Sequence, residues 1–219
     1  MQIEIWSDFS CPWCALGLAR LDAARAQFEH SEAITVLHRA FELNPRASAS
    51  TALTMEQAVA AKYGLSPEQV RAGHERMTAL GEEVGVTFDF AGVQLGSTFD
   101  AHRLAVAARG SLSEDSLVRS LFRAHFAEGQ LLSDHEVLTA VAAQAGLDDA
   151  MVRQVLGSHA YTEEVRADEA TAREMGVTGV PHFVINGKWA IPGAQDVETM
   201  LLVLRRAWER TERSETAAS

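Results

Sequence analysis

The chain has 219 residues, 47% of them apolar, enough to bury the core of one large domain or of one domain carrying an insertion. Its formal net charge of −11 sets it against nucleic acid and anionic lipid, whose phosphates it would repel. No run is long and apolar enough to span a bilayer, and "MQIEIWSDFS" has neither the basic start nor the apolar stretch of a signal peptide, so a cytoplasmic protein with no membrane partner is expected.

Residues 2–8 read as a strand with Ile3 and Ile5 on one face. A helix follows, opened by Pro12, whose missing N–H costs nothing at a first helical position, and carried by Leu16, Leu21, Ala24 and Phe28. "AITVLHRAF" (33–41) is β-branched and apolar, a second strand, and the short return implies a right-handed parallel βαβ unit. After Asn44-Pro45 the pattern becomes helical, from about Met55 to Gly157. Thr54…Gln57, Ser66-Pro67…Gln69 and Ser133…Glu136 read as capping boxes, and Ser113 precedes Glu114 and Asp115 as another start. Gly110, Gly129 and Gly146 stand where helices should stop. Leu117, Leu121, Phe122 and Phe126 have helical spacing and read as core.

"SHAYTEEVRADEATAREMG" (158–176) is a further helix, its acidic run Glu163–Glu169 read as a solvated face. "HFVIN" and "KWAI" flank Asn186-Gly187, a hairpin turn signal. "DVETMLLVLRRAWERTE" is an amphipathic helix, and the tail "RSETAAS" has nothing to bury and is expected to fray. Strands at both ends with helices between them predict an α/β domain, residues 1–46 and 158–219, interrupted by an all-α insertion, residues 47–157.

The two cysteines of the chain, Cys11 and Cys14, stand two residues apart in "CPWC". A structural disulfide there would close a tiny loop and add little stability, and a reducing compartment disfavours it. Two thiolates cannot complete a tetrahedral zinc site, and no second Cys pair or His-x-x-x-His cluster exists to help, so no metal is expected. A Cys at a helix start sits where free N–H groups and the helix dipole favour thiolate, and a second Cys one turn on can attack a mixed disulfide formed by the first. That is the chemistry of dithiol–disulfide exchange. The spacing predicts a partly exposed Cys11 with a lowered pKa and a buried Cys14 with a raised one. Trp13, between them, is expected to present an apolar surface to a partner. In "GVTGVPHFVING" (176–187), Pro181 opens a strand and so marks an edge or a bend.

Ser7-Asp8 before "CPWC", "FELNP" (41–45), "STFDAHRL" (97–104), "GVPHFVING" (179–187) and "AIPGAQ" (190–195) follow one another along nearly the whole chain. With these pieces the sequence resembles the DsbA family of thioredoxin-fold oxidoreductases, and within it the FrnE-like branch. The resemblance implies a thioredoxin fold with a helical insertion, Cys11 as attacking thiol, Cys14 as resolving thiol, and Val180-Pro181 as a cis-proline loop facing them. It implies substrate contacts from Val180, Pro181 and Trp13, and from Phe99, His102 and Arg103 at the start of the "STFDAHRL" helix, read as one wall of the groove. It implies no metal or organic cofactor, the redox-active disulfide sufficing, with glutathione open as a co-substrate. The implied partner is a disulfide-containing protein or a small-molecule thiol or disulfide, met by a monomer or homodimer.

Ile5 stands six residues before Cys11, where many thioredoxin-fold enzymes keep a buried acid, and Glu4 should point to the other face, so proton handling is expected from water or another group. His182 could tune Cys11, but alternation sends it to the face opposite Pro181 and favours ordinary packing. The rival reading is a glutathione-dependent isomerase or transferase resembling 2-hydroxychromene-2-carboxylate isomerase or kappa-class glutathione transferases, in polyketide or aromatic metabolism. Those relatives place a Ser where Cys11 stands, so Cys11 together with Cys14 favours redox. A non-catalytic binding surface around Trp13 is the third reading.

Overall fold

A computed structural model describes residues 1–216, with side chains through residue 211. Strand β1 (Gln2–Ser7) leads into helix α1 (Pro12–Arg25), and after a 3₁₀ turn at Ser31–Ala33 the chain returns as β2 (Thr35–Ala40). The helices α2 (Met55–Tyr63), α3 (Pro67–Glu82), α4 (Phe99–Ala107), α5 (Glu114–Phe126), α6 (His135–Gln144) and α7 (Asp149–Leu156) follow without an intervening strand. Then α8 (Thr162–Glu174), the hairpin β3 (His182–Ile185) and β4 (Trp189–Pro192), and α9 (Val197–Thr216) complete the described chain. The sheet order is β2-β1-β3-β4, with β1 parallel to β2 and antiparallel to β3. This is a mixed α/β fold with a helical insertion between β2 and α8, as the strand and helix pattern predicts, and it is the thioredoxin fold that the family resemblance implies.

Alternation along the strands assigns the two faces of the sheet. Ile3 and Ile5 pair with Ile185 and Phe183 and pack with Leu16, Leu21, Met200 and Leu204 of α1 and α9. On the other face Trp6 packs with Val184 and with Ala172 of α8, and its indole N–H donates to the Asp168 carbonyl at 3.0 Å. The hairpin turn forms as its dipeptide requires: Asn186 and Gly187 both have positive φ, 49° and 63°. Inside the insertion Leu117, Leu121, Phe122 and Phe126 are buried, as their spacing predicts.

Several local expectations are corrected. The Thr54 and Ser66 capping boxes form in both directions, but α6 is capped by Asp134, whose carboxylate accepts from the Glu136 N–H at 2.8 Å. Ser133 is diverted: its hydroxyl donates to the Ala49 carbonyl. Ser113 precedes α5 without capping it and donates to the Gly146 carbonyl instead. Helix α8 starts at Thr162 rather than 158, because Tyr161 turns the chain through a left-handed conformation, φ 64°. The acidic run is not wholly solvated. Asp168 and Glu169 are buried, Asp168 paired with Arg39 and Arg109 and Glu169 with Arg166. Helix α9 continues to Thr216, into the segment expected to fray, and the last three residues of that tail lie outside the described ones.

Candidate active site

Strand β1 ends at Ser7, and the next four residues turn the chain into α1. Cys11 is the residue before the first helical position, in extended conformation (φ −99°, ψ 109°), with Pro12 beginning the helix. The Cys11 N–H donates to the Asp8 carbonyl at 3.0 Å, and the Cys11 carbonyl accepts the Cys14 N–H at 2.9 Å, closing the first turn around both sulfurs. The cysteines are unbonded to each other. The Val180–Pro181 peptide is cis, and Cys11 Sγ lies 3.6 Å from the Val180 carbonyl oxygen, within reach of a thiol hydrogen bond. Both sulfurs are therefore enclosed: Cys11 is 5% exposed and Cys14 2%. The partly exposed Cys11 expected from the helix start is corrected. The proline loop lies against it, and Trp13, 46% exposed, carries the open apolar surface beside the dithiol.

Electrostatics separate two chemically identical groups. Cys11 is held below the ordinary thiol value, chiefly by the hydrogen bond from Cys14 and the backbone N–H groups of the first turn, against the opposing effect of burial. Cys14 is pushed well above it by burial and by donating to Cys11. The asymmetry agrees in direction with the expectation from helix position.

Gly17 brings the helix to the proline. A Cβ there would come within 2.9 Å of Pro181 Cγ and 3.3 Å of both Phe183 and Ala194, so only glycine permits this approach. Arg20 fastens the same helix to the loop after β4 through the Ala194 carbonyl, 2.9 Å away. A glycine inside a helical pattern is the sequence signal that could have found this position. His182 opens β3 on the Trp6 face, away from Pro181, and burial alone lowers its pKa.

Helix α4 reaches this region through one face only. Thr98, just before it, donates its hydroxyl to Asp8 Oδ1 at 2.9 Å, and His102 Nε2 lies 3.8 Å from the same oxygen, too far for a hydrogen bond but close enough to interact by charge. The Phe9 ring packs on His102 at 4.7 Å. Asp8 is 1% exposed and also accepts the N–H groups of Ser10 and Leu43 at 3.0 and 2.6 Å. Burial alone would raise its pKa, but His102 and those N–H groups outweigh burial and hold it below the usual carboxylate value.

Phe99 and Arg103 face elsewhere. Arg103 is 4% exposed and donates to the carbonyls of Val155, Ser158 and Ala160 at 2.6–3.0 Å and to Asp100, so every guanidinium nitrogen is engaged. Phe99 lies between the guanidiniums of Arg103 and Arg166, at 5.7 and 4.5 Å, and packs on Ala40, Val106 and Val165. The expectation that these two wall a substrate groove is corrected: they tie α4 to α7 and α8. A cleft of about 630 Å³ does run along α1, floored by Ala15, Leu18 and Ala19 and walled by Val86, Phe122 and Arg119. Its floor is the face of α1 that begins at Cys11, since residues four, seven and eight positions on share a helical face. Among the described residues no group of three or more His, Cys, Asp or Glu side chains is arranged to hold a metal ion, and no helix is long and apolar enough to cross a membrane.

A thioredoxin fold that closes a Cys-x-x-Cys pair under a cis-proline loop defines a class of redox proteins. Residues 2–205 match the family model of the DSBA-like thioredoxin domain, and the chain belongs to that family of thiol–disulfide oxidoreductases. A probable DsbA oxidoreductase from Streptomyces coelicolor is 39% identical and superposes with a TM-score of 0.90, over 95% of this chain and 90% of that one. The uncharacterized protein YwbO from Bacillus subtilis is 26% identical over 199 residues, 89% of this chain and 90% of the relative. A structure of 2-hydroxychromene-2-carboxylate isomerase is 19% identical with a TM-score of 0.68, covering 100% of both chains, which is a likeness of fold alone.

Proposed function

We infer that this protein is a cytoplasmic oxidoreductase that exchanges disulfides through Cys11 and Cys14. The observation that carries the reading is the placement of Cys11 at the helix start with Cys14 one turn on and the cis Val180–Pro181 loop 3.6 Å from Cys11 Sγ, an environment that lowers Cys11 and raises Cys14. The Cys11 thiolate attacks one sulfur of a substrate disulfide and expels the other as a thiolate, leaving a mixed disulfide on Cys11. Cys14 then loses its proton and attacks Cys11 Sγ, expelling the second substrate thiolate. Two electrons pass to the substrate, and the protein is left with a Cys11–Cys14 disulfide. The reverse sequence oxidises a substrate dithiol. The enzyme needs no metal or organic cofactor, and glutathione serves as the small-molecule co-substrate that resets the pair.

An extended substrate segment lies against the Val180 carbonyl, whose geometry suits sequence-independent contact next to the reacting sulfur. Trp13 supplies apolar contact outside it, and bulkier substrates extend into the cleft along α1. The glutathione-dependent isomerase reading draws support from a shared fold only, and it leaves Cys14 without a task. Dithiothreitol-driven insulin reduction tests the proposal: the parent accelerates precipitation and Cys11→Ser does not. Tight glutathione binding without any insulin turnover would favour the isomerase instead.

A further inference from the structure

A buried carboxylate three residues before an attacking thiol has a consequence for that thiol. Asp8 is enclosed by four hydrogen-bonding or charged partners, drawn from the dithiol turn (Ser10), the loop following β2 (Leu43) and the insertion (Thr98 and His102). The carboxylate has no room to swing away, and the hydrogen bonds it accepts favour its charged form. The ionisable groups facing it are His102 on α4, His125 on α5, the Cys11 thiol just before α1 and the Cys14 thiol within it. Nothing in the exchange chemistry uses this acid, and its bonds would be lost on protonation.

We propose that Asp8, locked in place by the insertion, is a fixed negative charge that restrains the Cys11 thiolate and biases the dithiol couple toward its disulfide form. This rests on the dithiol reading and adds to it a residue and a sign. Reduction of the Cys11–Cys14 disulfide by two glutathione thiols yields glutathione disulfide, a Cys11 thiolate, a Cys14 thiol and one released proton. A like charge inside the protein destabilises the thiolate product and leaves the disulfide untouched, so it opposes reduction. The same charge raises both thiol pKa values, Cys11 against the lowering effect of Cys14. Asp8 acts through Cys11 and touches no substrate, and it makes the protein a stronger reductant than its helix-start cysteine alone would be.

The test compares Asp8→Asn, Asp8→Ser and Thr98→Val with the parent. The Cys11 pKa is read from thiolate absorbance, and the couple is equilibrated with glutathione buffers above the Cys11 pKa of every variant. Asp8→Asn should lower the Cys11 pKa by about one unit. It should shift the equilibrium about tenfold toward the dithiol, ~30 mV for a two-electron couple. Asp8→Ser guards against misfolding, since its hydroxyl can still accept the Leu43 N–H, and it should move both quantities the same way. Thr98→Val loosens the clamp but keeps the charge, so it should titrate like the parent. Folded Asp8 variants with unchanged pKa and equilibrium would overturn the proposal, as would a Thr98→Val shift as large as that of Asp8→Asn. If the parent cycles and the Asp8 variants do not differ, the inference fails alone. A parent that never forms the Cys11–Cys14 disulfide removes the functional reading and this inference with it.

Discussion

Helix α4 has two faces with different tasks. On one, Thr98 and His102 meet Asp8 and through it the dithiol turn; on the other, Phe99 and Arg103 bind the helix to α7 and α8. The four residues are neighbours in "STFDAHRL", yet positions 98 and 102 are four apart, as are 99 and 103, and each pair shares one side of the helix. A motif read as a unit assigns all four to one groove. Helical periodicity divides them into a pair that addresses the chemistry and a pair that holds the insertion in place.

The sharpest contrast lies at the centre which the first face serves. Cys11→Ser should reduce exchange to background, whereas Cys14→Ser should still attack and accumulate a mixed disulfide, visible by mass spectrometry after acid quenching. The reverse pattern would exchange the two roles.

On the second face, Arg103→Ala should cost stability without a specific effect on exchange. It leaves the buried Val155 carbonyl and the partly exposed Ser158 and Ala160 carbonyls without their donor, a loss on the order of 2 kcal/mol in urea unfolding. Lysine should not restore it, because an ammonium cannot reproduce the planar fan of donors. A selective rise in the Michaelis constant for a bulky disulfide, with stability intact, would return Arg103 to the groove and break the comparison.

The dithiol side carries a pH liability of its own. His125 on α5 is 2% exposed, neither ring nitrogen has a well-placed partner, and burial pushes its pKa down to about 4. The unfolded chain binds a proton near pH 6.5 while the folded protein does not, so stability is full above that pH and falls as the pH drops toward 4. Urea unfolding should weaken by about 2 kcal/mol between pH 7 and pH 5 from this group alone. His125→Phe should flatten that slope; an unchanged slope would show that His125 is not its source.

Gly17→Ala tests how closely α1 must approach the proline. The added methyl meets Pro181, Phe183 and Ala194. It should cost on the order of 1 kcal/mol and disturb the Cys11 titration, while a surface change such as Glu32→Gln should do neither. The smallest expected effect belongs to the cleft: Ala19→Trp should raise the Michaelis constant for a bulky protein disulfide a few-fold and leave the dithiothreitol reaction unchanged.

Much of this arrangement was legible in the residues because it is local. The dithiol at a helix start, the proline just before β3, the Asn186-Gly187 turn and two reciprocal capping boxes are each written within a few neighbouring positions. What was missed depends on partners far along the chain. Asp168 and Glu169 look like part of a solvated run until Arg39 and Arg109, from β2 and the turn after α4, converge on Asp168, and until Glu169 pairs with Arg166 and accepts the Glu42 N–H. Asp8 looks like part of a motif until Thr98, ninety residues on, closes over it. Arg103 looks cationic and available until the carbonyls of Val155 at the end of α7 and of Ser158 and Ala160 just after it claim it. Side-chain chemistry was readable in each case, whereas the direction it faced was set by tertiary packing.

The central claim, a redox couple built on Cys11 and Cys14, is tested most directly by equilibrating the protein in graded glutathione buffers, quenching in acid, and counting alkylated thiols by mass spectrometry. The account predicts one two-electron transition between the dithiol and an intramolecular Cys11–Cys14 disulfide. A protein that keeps both thiols free across the whole range, or that stops at glutathione bound to Cys11, would contradict it.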